Sequence, residues 1–516
     1  MKKYTSSFIR VSVFILLLTA CSKDFDQAYD NWAALKPSKP DLNAGSWKTI
    51  LLTNSSEIAV PAPTAVTSAE YLAELAETKQ ALAAVTEEQK KAITYWSAGG
   101  VLRWNEIMRE LVAKYNLATV VGADGVTYPI PDANNPFSYP QFPFSNPPYA
   151  ARSYAYVAAA QYDALVAACN YRKNYNRKAP YKVDATIIPL VPSTDQGTYP
   201  SDDAVLAAAT LDIMKALFPT EIPYLEAKAA EHKNYRLWAG ATVKSDIAAG
   251  EVLGKAVAAK FLARFKTDGM KNAVGNQTKW DSLSKRVADQ GETPWISLEH
   301  PVRPPMLPIF GKVKPWLFPA SSLEKIRPPA PFKTGSAEIQ AQLVEVKKEA
   351  FSNDRKKLAI VHFWADGTGT YTPPGHWNFI ASEKFYQTQF SEVRTARGFA
   401  LLNMAMMDAA ISCWETKYFY YYPRPSQLDA SIKTLTGVPN FPAYTSGHST
   451  FSGAAATVLG YLFPESKTEF EDMAMEASLS RLYGGIHYRM DCEAGLKCGT
   501  TIGGFAIERA KGDGGE

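Results

Sequence analysis

The sequence predicts an all-α protein of packed helical bundles. Three observations carry this. Apolar residues recur at helical spacing along most of the 516-residue chain, strand-like alternation is scarce, and the 34 prolines fall mostly between the helix-like stretches. A hydrophobic content of 46% gives ample material for a buried core. The formal charge of +4, from 55 basic and 51 acidic residues, supplies no basic patch, so nucleic acid is excluded as a partner.

The chain opens with Lys2 and Lys3, an apolar stretch over 11–18, and Leu18-Thr-Ala-Cys21. That run is too short to span a bilayer permanently and reads as a signal peptide, residues 1–20. Residues 21–60 read as a tether and loosely packed lead-in. Ser68 then caps a helix through Tyr71 to about Ala84. Thr86 and Gln89 form a capping box for the next, with Glu87 and Glu88 in its first turn, where acids suit the helix dipole. Helices follow over 101–115, 150–169, 202–218 and 224–265, the last with a break expected near Gly250.

Residues 293–331 hold many prolines and no sustained period, which predicts an ordered crossover loop. Helices resume over 336–351, 355–364, 377–390, 393–417, 449–463, 466–483 and 487–510, with Ser466 and Glu469 expected as another capping box. The tail from Lys511 reads as frayed. The expected organisation is leader 1–20, lead-in 21–60, N-terminal helical half 61–292, crossover 293–335 and C-terminal half 336–510. Cys169, Cys413, Cys492 and Cys498 lack metal-ligand spacing and are expected as buried free thiols.

Three segments of the C-terminal half together supply an oxyanion site. The first runs from Lys417 to Arg424-Pro425, and Pro423 and Pro425 are expected to aim Arg424 inward. The second ends in Ser446-Gly447-His448, and the third holds Arg481, His487 and Asp491. Lys and Arg neutralise anion oxygens, Arg with a bidentate fork. The Ser446 Oγ and the Gly447 N–H, at a helix start, add donors, and His448 can give or take a proton. His487 and Asp491, four residues apart, are expected on one helical face, where the carboxylate fixes the ring tautomer. Ser446 lacks the strand–turn–helix setting of a hydrolase nucleophile.

This K-x6-RP, Ser-Gly-His, SR-x5-H-x3-D series resembles the superfamily of vanadium-dependent haloperoxidases and type 2 phosphatidic acid phosphatases, with Thr445 where Pro is usual. The resemblance spans roughly residues 90–510 and implies the two-bundle helical fold of that kind. On the haloperoxidase side it implies that His487 bonds the vanadium of vanadate. Lys417, Arg424, Arg481, Ser446 and Gly447 would hold the other oxygens, and His448 would act as acid–base. On the phosphatase side it implies that His487 is a nucleophile forming a phosphohistidine, with His448 protonating the leaving group and Asp491 orienting His487.

Trp414 and Phe441 match the haloperoxidase arrangement as halide-pocket candidates. Phe363-Trp-Ala-Asp366, followed by Thr372-Pro-Pro374, resembles a segment whose Asp supports one of the arginines. The short interval from His448 to Arg481 is closer to the phosphatases. The expectation is a vanadate-dependent haloperoxidase-like enzyme that oxidises halide with hydrogen peroxide, with vanadate as cofactor and neither haem nor flavin. A soluble acid phosphatase acting on phosphomonoesters is one alternative, and an anion-binding surface lipoprotein another. Leu18-Thr-Ala-Cys21 resembles a bacterial lipobox, which implies lipidation at Cys21 and an exported protein anchored at the outer membrane, facing periplasm or surface.

Overall fold

Side-chain caps set many of the helix starts. Ser68 accepts from the Tyr71 N–H at the start of α1 (Ala69–Ala83), and Thr86 with Gln89 completes the expected capping box of α2 (Glu87–Ser97). The first two N–H groups of α3 (Gly100–Tyr115) donate to the Glu392 carboxyl, whose pKa burial raises to about 7. α4 (Pro147–Tyr175) carries two prolines in its first turn, where a missing N–H costs nothing. The single turn α5 (Pro180–Val183) leads to α6 (Asp202–Leu217), α7 (Ile222–Trp238) and α8 (Lys244–Thr267). The computed structural model describes residues 32–118, 121–122, 124–125, 146–352 and 354–516; the leader 1–20 and Cys21 lie outside them.

The break expected near Gly250 falls instead at residues 239–243, where Gly240 adopts φ +73. Gly250 and Gly254 lie on one face of an unbroken α8. A Cβ at Gly250 would stand 2.5 Å from the Ser201 carbonyl oxygen, and one at Gly254 would run into that of Val205. These glycines are there for close packing: they let α8 lie directly on α6.

α9 (Gln277–Ala288) precedes the crossover, which is ordered and contains the short α10 (Leu323–Ile326). Asp408 pins it down, accepting from the Trp316 and Leu317 N–H groups at 2.9 and 2.8 Å, and Arg327 pairs with Glu415 at 2.6 Å. α11 (Ala337–Ala350), α12 (Arg355–Phe363) and α13 (Thr372–Thr388) follow. α13 begins earlier than its apolar period indicates because Pro373 and Pro374 occupy its first turn.

The last elements are α14 (Glu392–Tyr420), the short α15 (Pro425–Leu428), α16 (Gly447–Leu462), α17 (Lys467–Tyr483) and α18 (Arg489–Lys511). The capping box expected of Ser466 and Glu469 does not form. Ser466 ends a one-turn 3-10 helix, Pro464–Ser466, that runs straight into α17, and its side chain makes no cap. The tail is not frayed either: Arg397 donates to Asp513 at 2.8 Å and to the Ala510 carbonyl at 2.9 Å. Nor is the described part of the lead-in, 32–60, loosely packed throughout, since Ala44, Trp47 and Leu52 are buried and the Ile50, Leu51 and Leu52 N–H groups all donate to Asp163.

α14 is the hub. It is buried along nearly its whole length and packs on α4, α16 and α18. Residues Ala34–Glu516 form one compact unit, all-α, with no strand among the described residues. The four described cysteines are free, three of them buried, and no described helix is long and apolar enough to cross a membrane. α16 and α18 also pack in close contact: a Cβ on Gly499 would run into the Thr450 carbonyl and one on Gly453 would stand 2.5 Å from that of Leu496. α14 and α17 end where α16 and α18 begin, so two helix C-termini and two N-termini meet around the motif residues.

Candidate active site

Lys417, in the last turn of α14, is fully buried and donates to the Pro442 and Ala443 carbonyls at 2.7 and 2.8 Å. Arg424 takes extended backbone between its prolines and is also fully buried. Its Nε donates to the Phe441 carbonyl at 3.1 Å, and one terminal nitrogen donates to the Ile486 carbonyl at 2.8 Å and to His487 Nε2 at 2.9 Å. The other terminal nitrogen has no hydrogen-bond partner among the described residues. Arg481, in the last turn of α17, donates through Nε to Ser480 Oγ at 3.0 Å.

None of these three cations has a carboxylate within ion-pair distance among the described residues. Burial lowers all three pKa values, Arg424 and Arg481 to about 10. Three buried cations held mostly by neutral acceptors are costly unless an anion joins them.

His487 is not on a helix, contrary to the spacing expectation. α18 starts at Arg489 with Tyr488 as its N-cap. The pair forms all the same, because Asp491 sits in the first turn and reaches back. Its Oδ2 accepts from His487 Nδ1 at 2.8 Å and from the Tyr488 N–H at 3.2 Å. The Nδ1–H therefore faces Asp491, and the Nε2 lone pair faces Arg424. One ring N–H toward Asp491 and one lone pair toward Arg424 make a neutral imidazole, and burial, then Arg424, Lys417 and Arg481, shift its pKa well below the ordinary histidine range. Burial raises the Asp491 pKa, opposed by Lys417.

Ser446 is the N-cap of α16, its Oγ accepting from the Ser449 N–H at 3.3 Å, and the Tyr444–Thr445 peptide before it is cis. Gly447 is the first helical residue, where the backbone N–H has no intrahelical acceptor. A Cβ on Gly447 would meet only Trp414, at 3.8 Å, so the glycine leaves space beside that N–H. His448 follows, its pKa lowered by burial and then by Arg481, while the Trp364 carbonyl favours its protonated form.

Trp414 and Phe441 pack at 4.9 Å between ring centroids beside these cations, with Lys417 Nζ 4.9 Å from the Phe441 ring. Asp366 differs from expectation. Its hydrogen bond runs to a histidine, His376 Nδ1 at 3.0 Å, and its other oxygen stands 3.6 Å from His448 Nε2. Its effect on an arginine is through charge alone, favouring the cationic form of Arg481. His376 was not foreseen. The available signal was a histidine directly after the Thr372-Pro-Pro-Gly start of α13, close in sequence to Asp366. A cavity of about 470 Å³ opens over the cluster, its wall including Asp366, Trp414, Phe441, His448, Arg481 and His487.

Residues 397–511, which contain all three motifs, match the profile of the PAP2 superfamily. Vanadium chloroperoxidase from Curvularia inaequalis is 26% identical over 161 residues, which span 24% of this chain and about a quarter, 26%, of that enzyme's length. A crystal structure of a bacterial vanadium-dependent iodoperoxidase aligns with a TM-score of 0.55 and 25% identity, covering 70% of this chain and 91% of that one. An apo bacterial vanadium-dependent chloroperoxidase shares the fold, with a TM-score of 0.51, 13% identity, and coverage of 70% and 94%.

Proposed function

We propose that this chain, whose residues 397–511 match the PAP2 superfamily and whose fold is that of vanadium haloperoxidases, binds vanadate and oxidises halide with hydrogen peroxide. One observation carries the reading: among the described residues, Lys417, Arg424 and Arg481 are buried without a carboxylate at ion-pair distance, around a His487 whose Nε2 accepts from Arg424. The residues fit the group. The unpartnered Arg424 nitrogen and the open space at Gly447 both suit a tetrahedral oxyanion.

When bound, vanadate supplies Lewis acidity toward peroxide and halide. The chain's own residues do the rest. Lys417, Arg424, Arg481, Ser446 and the Gly447 N–H would hold the oxygens, with His487 Nε2 as the ligand atom. Arg424 now donates to that lone pair, and an oxyanion gives its N–H another acceptor, which frees Nε2 to bond. Asp491 keeps the proton on Nδ1. His448, on the cavity wall, moves the peroxide protons. Trp414 and Phe441 give an apolar, cation-flanked face suited to a weakly hydrated halide.

A second reading keeps the cradle and changes the reaction. The neutral His487, backed by Asp491, equally suits a nucleophile toward a phosphomonoester, with His448 as the acid for the leaving group. The test uses mature protein without leader and Cys21, stripped of phosphate. Iodide and bromide oxidation by peroxide is followed with and without vanadate, beside p-nitrophenyl phosphate hydrolysis, in wild type and His487→Ala. Vanadate-dependent oxidation lost in the variant is the expected result. Hydrolysis that vanadate inhibits, without oxidation, moves the protein to the phosphatase side. We also propose that the protein is exported and anchored through Cys21; the Leu18-Thr-Ala-Cys21 sequence supports this.

A further inference from the structure

We propose that His376 is a positioning residue for His448, acting by holding the Asp366 carboxylate that faces the His448 ring. The inference rests on the proposed proton-transfer role of His448, which halide oxidation and phosphomonoester hydrolysis share, and so goes beyond the choice between them.

Asp366 stands between two imidazoles. Oδ1 bonds His376 Nδ1 at 3.0 Å, and Oδ2 faces His448 Nε2 at 3.6 Å. The second distance is too long for a hydrogen bond, and both atoms are buried with no hydrogen-bond partner among the described residues. A carboxylate oxygen and a ring nitrogen left facing each other on a cavity wall bond once His448 gains a proton, after a shift of just under an ångström.

His376 is held from several sides. Its ring stacks on Trp364 with centroids 4.5 Å apart and planes at 27°, and meets the edge of Phe363 at 4.9 Å and 69°. Trp364 is anchored in turn by its indole N–H, which donates to Glu476 of α17 at 2.9 Å. Asp366 sits in left-handed backbone at φ +46, which Asp tolerates better than most residues. Asn116 ties down the following turn, donating to the Gly367 and Thr370 carbonyls at 2.9 Å. Ring, carboxylate and turn are thus braced by α3, α12, α13 and α17.

The carboxylate also has a rival partner, because its charge already favours the Arg481 cation. Without His376 it is free to turn toward that guanidinium. His448 then loses its alignment, and Arg481 is drawn from the oxyanion.

The test uses the mature full chain with inorganic phosphate as the probe. His376→Phe keeps an aromatic ring but no donor, and His376→Asn returns an amide N–H near the position of Nδ1. His376→Leu replaces the Phe variant should that one not fold. Each is read by kcat and KM for the reaction the wild type catalyses, by phosphate affinity in calorimetry, and by the His448 ring nitrogen shifts at fixed pH. Those signals are assignable in a chain of six histidines.

The donor-free variant is expected to lower kcat by about tenfold or more. KM and phosphate affinity move only a few-fold, the His448 shifts change, and Asn restores both kcat and shifts. Unchanged His448 shifts in a folded donor-free variant, or equal losses in the Phe and Asn variants, overturn the proposal. If the wild type shows neither activity the functional reading falls, while the ring shifts still decide this one.

Discussion

Arg424 and His487 occupy each other: a guanidinium nitrogen donates to the Nε2 lone pair at 2.9 Å, deep in the protein. On the proposed reading, the ring atom that would bond an oxyanion's centre is capped until an anion takes the arginine. The same anion would offset the buried charge, so ligand atom and charge clamp would be coupled through one hydrogen bond.

Arg424→Ala breaks that coupling. A hydrogen bond to a charged group contributes about 1.5–3 kcal/mol, so phosphate and vanadate affinity should fall roughly ten- to a hundredfold. Calorimetry on the folded variant checks this, and unaltered affinity would remove Arg424 from the site.

Gly447→Ala separates binding from folding. The added Cβ meets only Trp414 at 3.8 Å, so urea denaturation should show a change within about 0.5 kcal/mol. The methyl group fills the space beside the Gly447 N–H, and phosphate affinity should drop at least about tenfold. Intact affinity in a stable variant would mean the anion does not sit there.

Gly499→Ala works the other way. Its Cβ runs into the Thr450 backbone and forces α16 from α18, which should cost about 3 kcal/mol in urea denaturation. Anion affinity should fall with it, because both helices start at the site. Wild-type stability would contradict the packing argument.

Lys417 sets a pH dependence. Burial lowers its pKa from the ordinary lysine value, and a bound anion raises it again. Phosphate binding should take up protons where the pH lies between the free and bound values, and affinity should fall as pH rises through the free value. Without anion, the unfolded chain binds more protons than the folded one between the lowered and ordinary values. Lys417 thus costs stability below that window, and the cost fades as pH rises through it. Calorimetry in two buffers of different ionisation enthalpy reads the uptake; proton release would contradict it, and Lys417→Met should abolish it.

Much of this site is legible in the linear sequence, because Lys417, Arg424, Arg481, His448 and the His487–Asp491 pair lie at fixed spacing within one segment. The helices are legible for the same local reason, through caps such as Thr86 with Gln89. What spacing could not give depends on tertiary contact or on which residue starts a helix. His376 and Asp366 meet across a left-handed turn, and Asp491 reaches His487 from a helix that begins only after it. Gly250 looks like a helix breaker until α6 lies against it, and the tail looks frayed until Arg397 binds Asp513.

On the proposed reading the helix ends build one oxyanion cradle closed by His487. Vanadate titration of the phosphate-free mature protein, followed by vanadium NMR, tests it most directly. One equivalent should bind, phosphate should displace it, and His487→Ala should bind far more weakly while remaining folded. No bound vanadate in the wild type, or equal binding in His487→Ala, would contradict the account.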